Sequence, residues 1–152
     1  MYYRAAQAAL SNGHEFHVAA LLWRGKTLIR TGVNSSKTSP RHRRFFPREG
    51  VYGACLHAEM DALKYAQPGD TLEILRVNRK NELTMAHPCP HCLAAIWEAG
   101  IKQVRYTDWN GQWQTINMKH LDKNDIVDNF RINALARGTP VVGTTSVPKY
   151  LN

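Results

Sequence analysis

Long hydrophobic runs are missing from this chain. No apolar stretch of its 152 residues approaches the roughly 20 that a bilayer-spanning helix needs, so a helical membrane protein is not expected. The opening MYYRAAQAALSNGHEF holds no apolar segment of the kind a secretory leader contains, and none is expected there. Cysteine is scarce as well. Three thiols, two of them in a single C-x-x-C, make no disulfide framework. They suit a reducing compartment and a metal site, and a cytoplasmic location is expected. Acidic side chains number 12 against 20 Lys and Arg, which leaves a net charge of +8 and a pI near 9.7. That shortage of negative charge favours anionic partners such as nucleotides, nucleic acid or phosphorylated metabolites. Internal repeats and low-complexity segments are absent too, so the chain reads as one non-repetitive unit.

What is present is ordinary globular material. Hydrophobic content of 43% and charged content of 21% suit a single domain with its own core. That domain is expected over residues 1–138, followed by a loosely held tail, 139–152, with Pro140 and Pro148. Residues 2–11 read as a helix stopped at Asn12-Gly13. Residues 17–22 and 27–31 flank a turn at 23–26 and make a β-hairpin. Residues 32–47 are polar and basic, hence a loop. Helices are expected at 54–65, at 89–99 with Gly100 as C-cap, and at 122–137 with Gly138 as cap. TLEILRV (71–77) alternates like a strand, 78–81 is a turn, and 101–107 and 112–118 are strands joined through Asn110-Gly111. The order predicts a mixed sheet of about five strands with helices on its faces, the last two strands forming an antiparallel hairpin.

Two short motifs carry the chemistry. His57, Ala58 and Glu59 are followed, thirty-two residues after the histidine, by Pro88-Cys89 and then by Cys92. One imidazole and two thiolates form a three-ligand zinc site, and three protein ligands leave the fourth position open for water, as in catalytic zinc centres. A helix start lowers a thiol's pKa, which suits Cys89, and Cys92 lies one turn later on the same face. Glu59 is placed to handle protons. A purely structural zinc knuckle would have no use for that carboxylate. His87 and His91 flank the cysteines and compete weakly as ligands; Cys55 reads as a small buried filler.

The H-x-E and P-C-x-x-C pair resembles the cytidine deaminase-like superfamily, and the likeness runs from about residue 15 to residue 118. The resemblance implies a three-layer α/β/α sandwich with a mixed five-stranded sheet. It also implies one zinc per chain with a catalytic water, and hydrolytic deamination of a free cytosine nucleoside or nucleotide to the uracil form with release of ammonia. That makes the chain a hydrolase of C–N bonds in cyclic amidines, with Glu59 as the catalytic acid and base. The backbone N–H of Ala58 is expected on the base carbonyl and the carbonyl around Pro88 on its amine. Asn34, in a G-x-N after the second strand, is expected on sugar and base. An antiparallel final hairpin resembles the free-nucleoside branch, whereas the deoxycytidylate and nucleic-acid-editing branches run those strands parallel. Homo-oligomers are common in the superfamily, so one is expected here, with no membrane partner.

The substrate class stays open at this level. Residues 37–48 hold five cations (Lys37, Arg41, Arg43, Arg44 and Arg48) with Phe45 and Phe46 among them. Three readings compete: contacts to a nucleotide 5′-phosphate, a groove for single-stranded nucleic acid, or a solvated loop against another subunit. The alternative function is editing of a base within RNA or single-stranded DNA; less favoured is a non-catalytic zinc-binding module. Tyr106, Trp109 and Trp113 are read as a cross-strand aromatic cluster of the last hairpin, with an aromatic wall over the substrate as the second reading.

Overall fold

A computed structural model describes residues 2–11, 17–36 and 56–121. Within them β1 (His17–Arg24) lies at the heart of the sheet and explains the rest. Its sequence HVAALLWR is apolar at four consecutive central positions, all buried, because both faces of the strand are covered. Ala19 and Leu21 point to one side, where they pack with Ala5 and Ala9 of helix α1 (Tyr2–Leu10). Ala20 and Leu22 point to the other, into the larger core beneath the two other helices of the described residues. Residues four apart share a helix face, so α1 needs only two alanines to lie flat on the sheet. His17 closes the joint by donating from Nδ1 to the Ala9 carbonyl at 3.1 Å.

β1 turns at Gly25 (φ +60°) into the antiparallel β2 (Thr27–Val33). Both strands run two residues further than their expected ends at 22 and 31, with the register shifting at Leu22/Trp23. On its other side β1 pairs antiparallel with β3 (Thr71–Val77), the expected strand to the residue. A two-residue strand β4 (Leu83–Thr84), not anticipated, folds back on the end of β3. β5 (Gln103–Thr107) runs parallel to β3, and β6 (Trp113–Asn117) returns antiparallel to β5. The order is β2-β1-β3-β5-β6, with β4 beside β3. The final hairpin is therefore antiparallel, as expected. Its turn is built by the Asp108 carboxylate, which accepts from the Asn110 and Gln112 N–H groups at 2.8 and 2.9 Å, with Gly111 at φ +75°.

On the sheet face opposite α1 lie α2 (Ala58–Ala62), extended by a 3-10 turn Leu63–Tyr65, and α3 (Pro90–Glu98). The fold is thus an α/β/α sandwich around a mixed sheet. The helix expected over 54–65 is shorter than that. Leu56 forms an isolated antiparallel bridge with Ser35, their N–H and carbonyl groups bonded at 2.8 and 2.9 Å, so the helix starts only after His57. α2 comes very close to β2: a Cβ on Gly32 would stand 2.5 Å from both the Ala58 carbonyl oxygen and the Ala62 nitrogen. Asp61 locks the approach, accepting from Arg30 at 2.6 Å and from the Val33 N–H at 3.2 Å. α3 ends as expected, with Gly100 at φ +76°.

The aromatic cluster is corrected. Thr107 faces Trp113 and Tyr106 faces Gln114, so Tyr106 and Trp113 fall on opposite sides of the sheet. Trp113 packs on Tyr2 at 4.9 Å on the α1 side, while Tyr106 packs on the α3 side and Trp109 is 63% exposed. The helix expected at 122–137, the 138/139 domain boundary, Cys55 and the basic residues 37–48 lie outside the described residues. Among the described residues no helix is long and apolar enough to cross a membrane.

Candidate metal centre

Two loops converge at the starts of α2 and α3. His57 is the N-cap of α2 in extended backbone (φ −77°, ψ 149°), held there by the Ser35–Leu56 bridge one residue earlier. Cys89 is the N-cap of α3, with Pro90 at the first helical position, where proline is tolerated because its missing N–H is not needed. The run into Cys89 is tied to the end of β5 by Ala86 N–H donating to the Thr107 carbonyl at 2.8 Å.

These placements bring three donor atoms together. The His57 Nδ1 stands 3.4 Å from the Cys92 Sγ and 3.8 Å from the Cys89 Sγ. One donor atom from each of His57, Cys89 and Cys92 lies within 4.8 Å of the others, and among the described residues no other such group occurs. The three are positioned to bind a metal ion. A set of one imidazole and two sulfurs fits zinc, a borderline-soft ion of tetrahedral preference. Neither His87 nor His91 belongs to the group; His91 is fully buried within α3.

The electrostatics favour the same use. Burial works to raise the Cys89 thiol, but hydrogen bonds with Cys92 and His57 outweigh it and hold Cys89 well below the ordinary thiol range. The Cys92 N–H contributes, reaching the Cys89 Sγ at 3.5 Å as an N-cap bond. Cys92 is pushed well up by its own burial and by the negative charge on Cys89. A bound cation would favour the thiolate form of both. Glu59 is 6% exposed, and burial raises its carboxyl pKa while the charge on His57 opposes the shift. A carboxyl raised in this way is better suited both to take and to give a proton than an ordinary one.

The other expected residues fall nearby. Ala58 is buried at the first position of α2. Asn34 is buried next to Ser35, and its Oδ1 accepts from the Val18 N–H at 2.9 Å, joining the end of β2 to the start of β1. Pro88 is buried beside Cys89, and its carbonyl accepts from the His87 Nδ1–H at 2.8 Å. His87 is neutral, its pKa pushed down to about 4 by burial. The clamp of Asp61 on β2 and the close approach at Gly32 escaped the sequence reading. Their partners lie about thirty residues away, beyond any local pattern. A groove of about 520 Å3 lined by Arg4, Ala5, Ala8, Leu21, Leu28 and Thr31 lies under α1, on the opposite sheet face from the metal centre.

A sandwich that offers one imidazole, two sulfurs and a buried carboxylic acid from two helix starts defines a class, that of zinc-binding domains with deaminase architecture. The model of the family "Cytidine and deoxycytidylate deaminase zinc-binding region" matches residues 1–108, and the chain belongs to that family. Among curated proteins no match is found. Two solved structures of the dCMP deaminase from the cyanophage S-TIM5 are similar to the chain. The apo form has 22% identity, covers 71% of this chain and 80% of that one, and gives a TM-score of 0.48. The complex with dCMP and dUMP has 20% identity, covers 86% and 87%, and gives a TM-score of 0.49.

Proposed function

We propose that the protein is a zinc-dependent hydrolytic deaminase of a free cytosine nucleoside or nucleotide. The observation that carries this reading is the convergence of His57, Cys89 and Cys92 beside the buried Glu59. In the reaction a bond forms between the amine-bearing ring carbon and a water oxygen. The carbon–nitrogen bond breaks, and the amine leaves as ammonia. A zinc ion held by His57, Cys89 and Cys92 supplies a Lewis acid that makes water nucleophilic at neutral pH. Glu59 takes one proton from the water and passes it to the ring nitrogen; it then takes the second from the new carbon-bound hydroxyl and hands it to the departing amine, leaving the carbonyl. The Ala58 N–H holds the base carbonyl and the Pro88 carbonyl receives the exocyclic amine. Asn34 meets the sugar or base.

The antiparallel β5–β6 pair is the arrangement of the free-nucleoside branch and supports a free substrate over a base within a strand of nucleic acid, while the basic residues point separately to a phosphate on that substrate. The cations Lys37, Arg41, Arg43, Arg44 and Arg48 belong to a segment whose two stems, Ser35 and Leu56, are bonded together one residue from His57. We assign them to a substrate phosphate, which the net charge of +8 also favours. A homo-oligomer is the assembly proposed.

Mass spectrometry on zinc-loaded protein with cytidine, deoxycytidine, their monophosphates and a short single-stranded oligonucleotide tests the reading. The amine-to-oxygen exchange is expected in a free cytosine species and reduced about 10²- to 10⁴-fold in Glu59→Gln, with zinc content unchanged. Conversion confined to the oligonucleotide would replace this reading with base editing. Zinc binding without any conversion would replace it with a non-catalytic module.

A further inference from the structure

The run into α3 carries a side chain to which the mechanism above assigns no task. The Nδ1–H of His87 donates to the Pro88 carbonyl at 2.8 Å, and its ring meets Tyr106 edge-on at 4.7 Å and 72°. The surrounding segment is pinned to the end of β5, with the Thr107 hydroxyl donating to the Thr84 carbonyl at 2.6 Å and Ala86 N–H to the Thr107 carbonyl at 2.8 Å. Pro88 is buried and Cys89, the N-cap sulfur of the metal centre, follows it directly. The proline ring fixes φ, so the direction of its carbonyl is set by rotation about ψ alone. The imidazole bond removes that last freedom. A carbonyl oxygen has two acceptor sites, and a bond from His87 at one leaves the other directed elsewhere.

We infer that His87 is a positioning residue: it aims the Pro88 carbonyl and so sets the preference of the site for an amine-bearing base over its keto product. The inference rests on the proposed reading that Pro88 receives the exocyclic amine. A carbonyl attracts an N–H donor and repels a keto oxygen, so aiming it strengthens one ligand and weakens the other. A side chain that served packing alone would shift both ligands together. Tyr106 holds the plane of the imidazole, and Thr107 holds the segment that bears it.

Calorimetry on the zinc-loaded protein in a Glu59→Gln background, where ligand is not consumed, tests this with cytidine monophosphate and uridine monophosphate as probes. His87→Leu removes the donor at similar volume; His87→Asn keeps an N–H of similar reach. The expected result is cytidine monophosphate binding weakened about 3- to 10-fold in His87→Leu, the effect of one positioned hydrogen bond. Uridine monophosphate binding should tighten, zinc content should stay unchanged, and His87→Asn should recover most of the cytidine monophosphate loss. An amine-to-keto ratio in His87→Leu equal to that of His87 would overturn the inference. So would loss of zinc in both variants, which would make His87 part of the metal centre's framework. Protein with His87 intact that binds neither nucleotide would refute the substrate reading itself, and the inference with it.

Discussion

Cys89 and Cys92 are three residues apart and sit in different electrostatic surroundings. Burial penalises charge on both, but Cys89 has His57 and the Cys92 N–H to stabilise a thiolate, and Cys92 faces the charge that results. Each side chain supplies one of three donors, the number that leaves a tetrahedral ion one open position. Cys92→Ser is therefore expected to lower bound zinc to background by elemental analysis. A chelator should lower the melting temperature of the unsubstituted protein and leave that of Cys92→Ser unmoved. Equal zinc in both proteins would count against the site.

Helix α2 is five residues long, too short to hold His57 and Glu59 in place by its own hydrogen bonds. Its position comes from neighbours: the Ser35–Leu56 bridge before it, the Asp61 carboxylate on Arg30 and Val33, and the missing side chain at Gly32. A Cβ at Gly32 would meet backbone atoms on both sides, which cannot swing aside as a flexible side chain does. Gly32→Ala is expected to cost about 1–3 kcal/mol by denaturant titration, the range for overpacking. It should also lower zinc affinity, because the strain is relieved by moving the helix that carries His57. A variant of full stability with normal zinc binding would contradict this.

At the scale of the whole molecule, a buried carboxylate ties segments together at the end of the sheet remote from the metal centre. Asp70 accepts from Arg24 Nε and Nη2, both at 3.0 Å, and from the Gln67 N–H at 2.9 Å; its own carbonyl receives the Lys102 N–H. Burial works to raise its pKa, and Arg24 and Gln67 more than reverse it, leaving Asp70 below its ordinary 3.8. A depressed carboxylate stabilises the fold fully above its unfolded value and loses that contribution as pH falls through the folded one. The urea midpoint should therefore hold steady at neutral pH and fall as acid is added below about pH 3.8. Asp70→Asn should lower the midpoint at neutral pH and flatten the acid slope. An unchanged acid slope would assign it to other carboxylates.

The three candidate metal donors were legible in the sequence because the motifs are local. A histidine with a glutamate two residues on, and two cysteines one helical turn apart, depend only on near neighbours. The helix stops and the final hairpin were legible for the same reason, since Gly100 and Gly111 mark backbone that other residues avoid. What the sequence left open was long-range. Register decided that Tyr106 and Trp113 part to opposite faces, because a one-residue offset reverses the side of a strand. Pairing with Ser35 decided where α2 begins, and the close packing of β2 on α2 decided that residue 32 is glycine. Local spacing names the candidate donor atoms; only the packed sheet, by bringing two helix starts from distant parts of the chain together, sets the distances between them.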